Sequence, residues 1–221
     1  MYLSRLALSQ RPDMAALGAL LNPAHEGRRQ DAHHRLIWAA FATNSDASRD
    51  FLWREMGQGG FMVLSARKPA ETPLFEHIET QPFDPELQAG DQLAFVLRAN
   101  ATRTVTEGTR KRHRDVVMEA LHPIAGAERA ARRLEVAQQA GHDWLVGQGA
   151  RAGFTVEGCH VTAYAVRDLP GRAGKGRPRF GVIDLEGTLR LTDPTMFLAR
   201  QAQGFGRAKA FGCGLMLIRR A

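Results

Sequence analysis

Cysteine is nearly absent from this chain. The two present, Cys159 and Cys213, stand far apart and form no Cys-x-x-Cys pair. That excludes a disulfide framework and a zinc knuckle and fits a reducing cytoplasm. No apolar run approaches the length of a membrane span, and Met1–Leu8 is too short and too polar for a signal peptide. A cytoplasmic protein without a membrane partner is therefore expected. No Gly-Lys-Ser/Thr occurs, which excludes a Walker loop. No carboxylate cluster marks a two-metal hydrolase, and no metal or other cofactor is expected. An RNP1-type aromatic strand is missing as well, since Phe95 and Phe180 stand without aromatic partners. Acid is scarcer than base: 23 Asp and Glu face 30 Lys and Arg, a formal charge of +7. That imbalance points to an anionic partner, nucleic acid before an acidic membrane.

What the chain does have is enough apolar content, 44% over 221 residues, for one large or two small cores. Tyr2–Leu8 reads as a strand and Met14–Leu21 as a short helix ended by Asn22-Pro23. His25–Gln30 reads as a polar loop. A helix is expected over Asp31–Ala42, with Asp31 as its cap and Ile37, Trp38 and Phe41 at helical spacing. His33 and His34 then fall in its first turn, and His34 lies on the stripe of Ile37, Trp38 and Phe41. A first-turn ring sits where an anion is welcome; a boundary histidine with a satisfied hydrogen bond is the plainer reading. Phe51–Glu55 and Phe61–Ala66 pair around Gln58-Gly59-Gly60. Arg67–Pro85 has room for a short helix near Leu74–Ile78, and Gln92–Ala99 alternates as a strand. The first half is thus β-α-β-β-(α)-β, a ferredoxin-like or RRM-like unit.

Thr102–Arg114 reads as a polar, basic connector, more in keeping with a solvated linker than a binding site. Val116–Met118 reads as a short strand, Glu128–Val146 as a helix with Arg129, Arg132 and Arg133 on its polar face. Phe154–Val166 and Gly181–Leu191 are partner strands. The segment between them, Arg167–Arg179, crowds five cations into a Gly/Pro-rich loop; it suits a phosphate backbone as well as an ordinary surface loop. Asp193 caps a helix with Pro194 at its first position. Then comes Gly204–Leu217, where four glycines, Arg207 and Lys209 precede the apolar strand Leu215–Ile218. Free amides on such a loop suit a phosphate; the alternative is a glycine-rich connection. The second half repeats the β-α-β-β-α-β order. The expected division is 1–103, a connector at 104–114, and 115–221.

Six segments, in order, carry a resemblance. They are Met1-Tyr-Leu-Ser-Arg-Leu6, Asp31-Ala-His-His-Arg-Leu-Ile-Trp38, Phe95-Val-Leu-Arg-Ala-Asn100, Asp115-Val-Val-Met118, Glu186-Gly187 and the Gly204–Leu217 loop. The chain resembles the CasE family, the endoribonuclease of type I-E CRISPR systems that cuts precursor CRISPR RNA within its repeats. The resemblance implies an α+β protein of two tandem ferredoxin-like domains, with antiparallel sheets and helices on one face. It implies metal-independent cleavage beside a stem-loop: a 2′-hydroxyl attacks the adjacent phosphate and leaves a 2′,3′-cyclic phosphate and a 5′-hydroxyl. The cut hairpin stays bound, and the other subunits of the Cascade complex are expected partners. The family's catalytic histidine matches His34, with His33 as the nearby competitor. Family members often carry a tyrosine three residues earlier, where this chain has Asp31, which would orient His34, raise its pKa or cap the helix.

The expected RNA-binding residues are Arg172, Lys175, Arg177 and Arg179 of the basic loop, together with Gly204, Gly206, Arg207, Lys209, Gly212 and Gly214. Arg129 and Arg133 form a second set. Two alternatives stand beside this reading. One is a catalytically silent hairpin-binding module, which the aspartate at 31 favours. The other is a ferredoxin-like nucleotide-binding regulator, against which the charge of Arg167–Arg179 speaks.

Overall fold

Tyr2, Ser4, Leu6 and Leu8 share one face of β1 (Tyr2–Leu8), and that alternation makes it the centre of the first sheet. The computed structural model describes residues 1–15, 18–42, 49–168 and 179–221. Two short turns, α1 (Pro12–Ala15) and α2 (Gly18–Leu21), lead to α3 (Glu26–Ala39). The hairpin β2 (Phe51–Gly57) and β3 (Gly60–Ser65) follows, and then β4 (Phe75–Pro82). The strands lie in the order β2-β3-β1-β4, all antiparallel. Leu6 sits between Phe61 and Ile78 in register, and Leu36 and Ile37 of α3, with Ala40 and Phe41 just after it, pack in the same core. Each large side chain buried here contributes about 1.5–3 kcal/mol. Ser4, also fully buried, is satisfied across the sheet by a 2.9 Å hydrogen bond with Thr80.

The second sheet takes β5 (Gln92–Ala99) as its first strand. A hairpin, β6 (Thr102–Glu107) and β7 (Arg110–Asp115), and α4 (Val116–Leu121) are inserted before α5 (Arg129–Gly149). Then come β8 (Phe154–Asp168), β9 (Arg179–Leu191), α6 (Pro194–Gln203), a 3-10 turn at Lys209–Phe211 and β10 (Met216–Arg220). The order is β10-β5-β9-β8, again antiparallel. Counted within each half, both sheets read 4-1-3-2 in strand order, the ferredoxin-like arrangement. The first half lacks a helix between its third and fourth strands. Among the described residues no helix is long and apolar enough to cross a membrane.

Several expectations are corrected. Gln92–Ala99 belongs to the second sheet, so the chain crosses between sheets within 83–91 and not after residue 103. The fourth strand of the first sheet is Phe75–Pro82, where a short helix was expected. Its outward positions His77, Glu79 and Gln81 are polar because it is an edge strand. The connector 104–114 is paired backbone, β6 against β7, with Thr104, Val105 and Thr106 supplying β-propensity. Val116–Met118 is helical because the Asp115 carboxylate accepts the amides of Val117 and Met118 at 3.0 and 2.9 Å. Asp193 and Pro194 do open α6 as read, with the Met196 amide donating to Asp193 at 2.9 Å.

The two halves meet through the sheet faces turned away from the helices. Leu52 and Leu64 of the first sheet pack with Leu215, and Leu3, Met62, Phe83 and Leu217 surround them. Beside this seam Arg98 donates two hydrogen bonds to Asp184, at 2.9 and 2.8 Å, and Arg54 approaches the same carboxylate at 3.5 Å.

Candidate active site

α3 begins at Glu26, a turn and a half before the expected start. Glu, Arg, Arg and Gln at positions 26 and 28–30 are good helix formers whatever their polarity. Asp31 is therefore not the cap. It pairs with Arg35 one turn on, at 2.9 Å. His33 and His34 lie in the middle of the helix, so a helix N-terminus does not explain either.

The two histidines part company by one residue of rotation. His33 is fully buried, its ring 4.9 Å from that of Phe61 and 6.4 Å from that of Trp53. Neither ring nitrogen has a hydrogen-bond partner among the described residues, and Glu55 stands 4.0 Å away. Burial holds its pKa below the ordinary 6.5 despite Glu55. It is a core residue and not a competitor for catalysis. Because the native pKa is depressed, the unfolded chain takes up a proton first as pH falls below 6.5, and stability is lost in that window. Replacing His33 by leucine is expected to flatten the loss of thermal stability between pH 7.5 and pH 5, by up to about 1.4 kcal/mol per pH unit. An unchanged slope would remove His33 from the acid response.

His34 is half-buried, its ring 6.2 Å from that of Trp38. It lines a cavity of about 550 Å³ with Arg35, Trp38, Arg49 and Ala210. Burial first, then the positive charge of Arg49, holds its pKa below 6.5, while Asp31 pulls the other way. The ring is thus mostly neutral at pH 7, the state a general base needs. Arg49 was missed in the sequence; it lies outside every periodic element, and its proximity to α3 is a tertiary fact.

Ala210 belongs to the glycine loop, so the second half closes a cavity built on the first. Five of the loop's amides are already engaged. The amides of Gly204, Phe205, Arg207, Phe211 and Gly214 donate to carbonyls of Arg200, Gly214, Asn100, Ala208 and Arg98. Its glycines serve close approach. Gly206 has φ +76°, and a β-carbon there would stand 2.6 Å from the Asn100 carbonyl. Gly212, likewise at positive φ, lies against the Trp53 ring.

The two cations of the loop are separated. Lys209 donates to the Gln203 carbonyl at 2.5 Å and feels the charges of Arg200 and Arg49, on the His34 side. Arg207 lines a second cavity, of about 1010 Å³, between the base of the β6–β7 hairpin, α4 and the start of β9. His113, Arg114, His122, Arg179 and Phe180 also line it. The Phe180 and Phe211 rings, 5.5 Å apart, join the two sides of the loop.

Of the expected basic loop, Arg172, Lys175 and Arg177 lie outside the described residues. Arg179 is exposed and paired with Asp168 at 2.7 Å. Arg129 turns back on its own chain, donating to the carbonyls of Ile124 and His122. Arg133 is exposed beside Tyr164. A further basic surface was set aside as linker in the sequence reading. Arg110, Lys111, Arg112, His113 and Arg114 are all exposed along β7, an ordered strand.

A family model described as CRISPR associated protein matches residues 1–220. The CRISPR system Cascade subunit CasE of Escherichia coli (strain K12) is 29% identical over 198 residues, which cover 84% of this chain and 89% of that protein. Among solved structures, CRISPR endoribonuclease Cse3 bound to a 19-nucleotide RNA has a TM-score of 0.67 at 20% identity, covering 99% of this chain and 98% of that one. The CRISPR-associated protein Cas6e of Escherichia coli str. K-12 has a TM-score of 0.64 at 22% identity, with both chains covered completely. These two share the fold of this chain. With a family match running from the first strand to the last, the chain belongs to the CRISPR-associated protein family.

Proposed function

We propose that this protein is an endoribonuclease that binds the stem-loop of CRISPR repeat RNA, cuts the precursor beside it, and keeps the product as a subunit of a Cascade complex. The observation that carries the reading is the His34 cavity, a mostly neutral imidazole facing a pocket with Arg35 and Arg49. The similarity to CasE and to an endoribonuclease held with RNA supports it.

In the proposed reaction His34 Nε2 or Nδ1 takes the proton of a ribose 2′-hydroxyl. The 2′-oxygen forms a bond to the adjacent phosphorus, the bond to the 5′-oxygen breaks, and that oxygen takes a proton from solvent, to which the His34 imidazolium returns its own. The products are a 2′,3′-cyclic phosphate and a 5′-hydroxyl, so no water or metal-bound hydroxide is consumed. Arg49 and Lys209 stabilise the charge that builds on the phosphate oxygens. The β6–β7 hairpin, Arg179 and Arg207 form the stem-binding surface, which reads shape and backbone.

Single-turnover cleavage of a cognate repeat hairpin in excess EDTA tests the chemistry. Cutting is expected to proceed in EDTA and to stop when the ribose at the cut site is 2′-deoxy. A requirement for metal, or cutting of the deoxy substrate, would overturn this route. Binding is tested separately with Arg110→Ala and Arg112→Ala. Each lost phosphate contact is expected to lower the slope of log affinity against log salt by roughly 0.7–0.9, with the rate at saturating protein unchanged. The pairing of Asp31 with Arg35 favours one second reading, a silent hairpin binder, because it leaves the position of the family tyrosine engaged elsewhere. Binding without any cutting is its expected signature.

A further inference from the structure

One turn before His34, on the same helix, a different set of cations converges. A cavity of about 430 Å³ between the two sheets is lined by Arg29 and Gln30 of α3, Arg54 and Glu55 of β2, Arg98 of β5 and Arg167 of β8. Four guanidinium groups from four elements meet there, against the carboxylates of Glu55 and of Asp184 beside it. Asp184 is already committed, both of its oxygens taken by Arg98. Arg54 lies 3.5 Å from Asp184, beyond a good charge-assisted bond. Its Nη1 is buried with no hydrogen-bond partner among the described residues, and so is Gln30 Oε1. An amide such as that of Gln30 can present its NH2 by turning over. Burial holds the Arg54 guanidinium below its ordinary pKa, with Asp184 opposing and Arg98 adding to the depression.

We propose that this cavity is a second phosphate site, which takes a backbone phosphate of the same RNA strand close to the one cut at His34. The proposal rests on the endoribonuclease reading. An oxyanion there supplies the acceptor that Arg54 Nη1 lacks among the described residues. Gln30 and His34 are i and i+4 on α3, about 6 Å apart along the helix axis. A strand that crosses the His34 cavity along the helix axis toward Gln30 would reach the arginines. Such a site would hold single-stranded flank against the seam between the sheets and fix the register of the scissile phosphate.

The test is a methylphosphonate scan. Each phosphate flanking the cut site is neutralised in turn in a hairpin RNA made uncleavable by a 2′-deoxy ribose, and binding is titrated with wild type and with Arg54→Met. At one position the neutral phosphate is expected to weaken wild-type binding about tenfold and to have no effect on the variant. Arg29→Gln is expected to show the same coupling, and it leaves the Arg54–Asp184 contact between the sheets in place, so a folding loss in Arg54→Met cannot hide the result. If every neutralised phosphate weakens wild type and both variants by equal factors, the arginines are a staple between sheets and the proposal is overturned. Wild type that fails to bind the hairpin at all would instead overturn the RNA reading on which the site depends.

Discussion

His34→Ala is expected to lower the single-turnover cleavage rate by about 10²–10⁴-fold, the range a positioned general base contributes, while hairpin affinity stays within a factor of about two. The ring lines the cavity from the middle of α3, where removing it leaves the buried face of Ile37 and Phe41 intact. The pH dependence carries the mechanistic content. Because burial and Arg49 hold the imidazole pKa down, the wild-type rate should rise through an apparent pKa below 6.5 and be flat at neutral pH. Arg49→Gln removes one of three depressing influences, burial and Arg35 being the others, so the midpoint should move up toward 6.5, and the plateau should fall because a cation has left the developing phosphorane. A plateau loss without movement of the midpoint would leave Arg49 as a phosphate contact that does not tune His34. Cleavage that survives in His34→Ala at the wild-type rate would remove the base from this cavity.

The second large effect is structural in origin and catalytic in outcome. Gly206→Val is expected to destabilise the protein by about 3 kcal/mol, from left-handed backbone and overpacking together. A β-carbon at φ +76° would meet the Asn100 carbonyl at 2.6 Å, and that carbonyl also accepts the Arg207 amide. The loop can relieve the clash only by lifting off β5. Lifting withdraws Arg207 from one cavity and Ala210 from the other. Cleavage and hairpin affinity should therefore fall together, in contrast to His34→Ala, where they separate. Thermal melting and a binding titration on the same variant check this. A variant that melts with wild type would mean that the loop tolerates the side chain and that the close approach is dispensable.

How much of this was legible in the sequence varies with the reach of the interaction. Alternation in Gln92–Ala99 announced a strand, but alternation does not name a partner, and the pairing of Phe95 with Gly187 and Ile218 is long-range. The strand was therefore placed in the wrong half, while the ferredoxin-like reading of both halves stands. Asp31 and Asp115 show the weakness of cap reading. Both precede apolar residues, yet the first is inside a helix that started on charged residues, and the second caps a helix whose Val-Val opening imitates a strand. Preferring His34 to His33 rested on the family resemblance, through the Arg-Leu-Ile-Trp that follows it; the apolar stripe did not announce that His33 is the histidine turned into the core. Arg49 and the arginines around Asp184 were out of reach, because their meaning lies in a seam between sheets that no local pattern encodes. The glycine loop was singled out for its amides; its glycines instead serve close packing against Asn100, Trp53 and Leu52.

The placement of β5 has a consequence for the order in which the protein becomes active. Synthesis delivers the first sheet complete by Pro82, with His34 already on its helix and Arg49 beside it. β5 emerges next but pairs with β9 and β10, which arrive much later, so it waits unpaired while the intervening hairpin and helices are made. The wall of the His34 cavity that contains Ala210 is made only after β8, β9 and α6. A nascent chain therefore carries His34 long before the cavity around it is closed. On the proposed function, cleavage is expected only once the second sheet has closed.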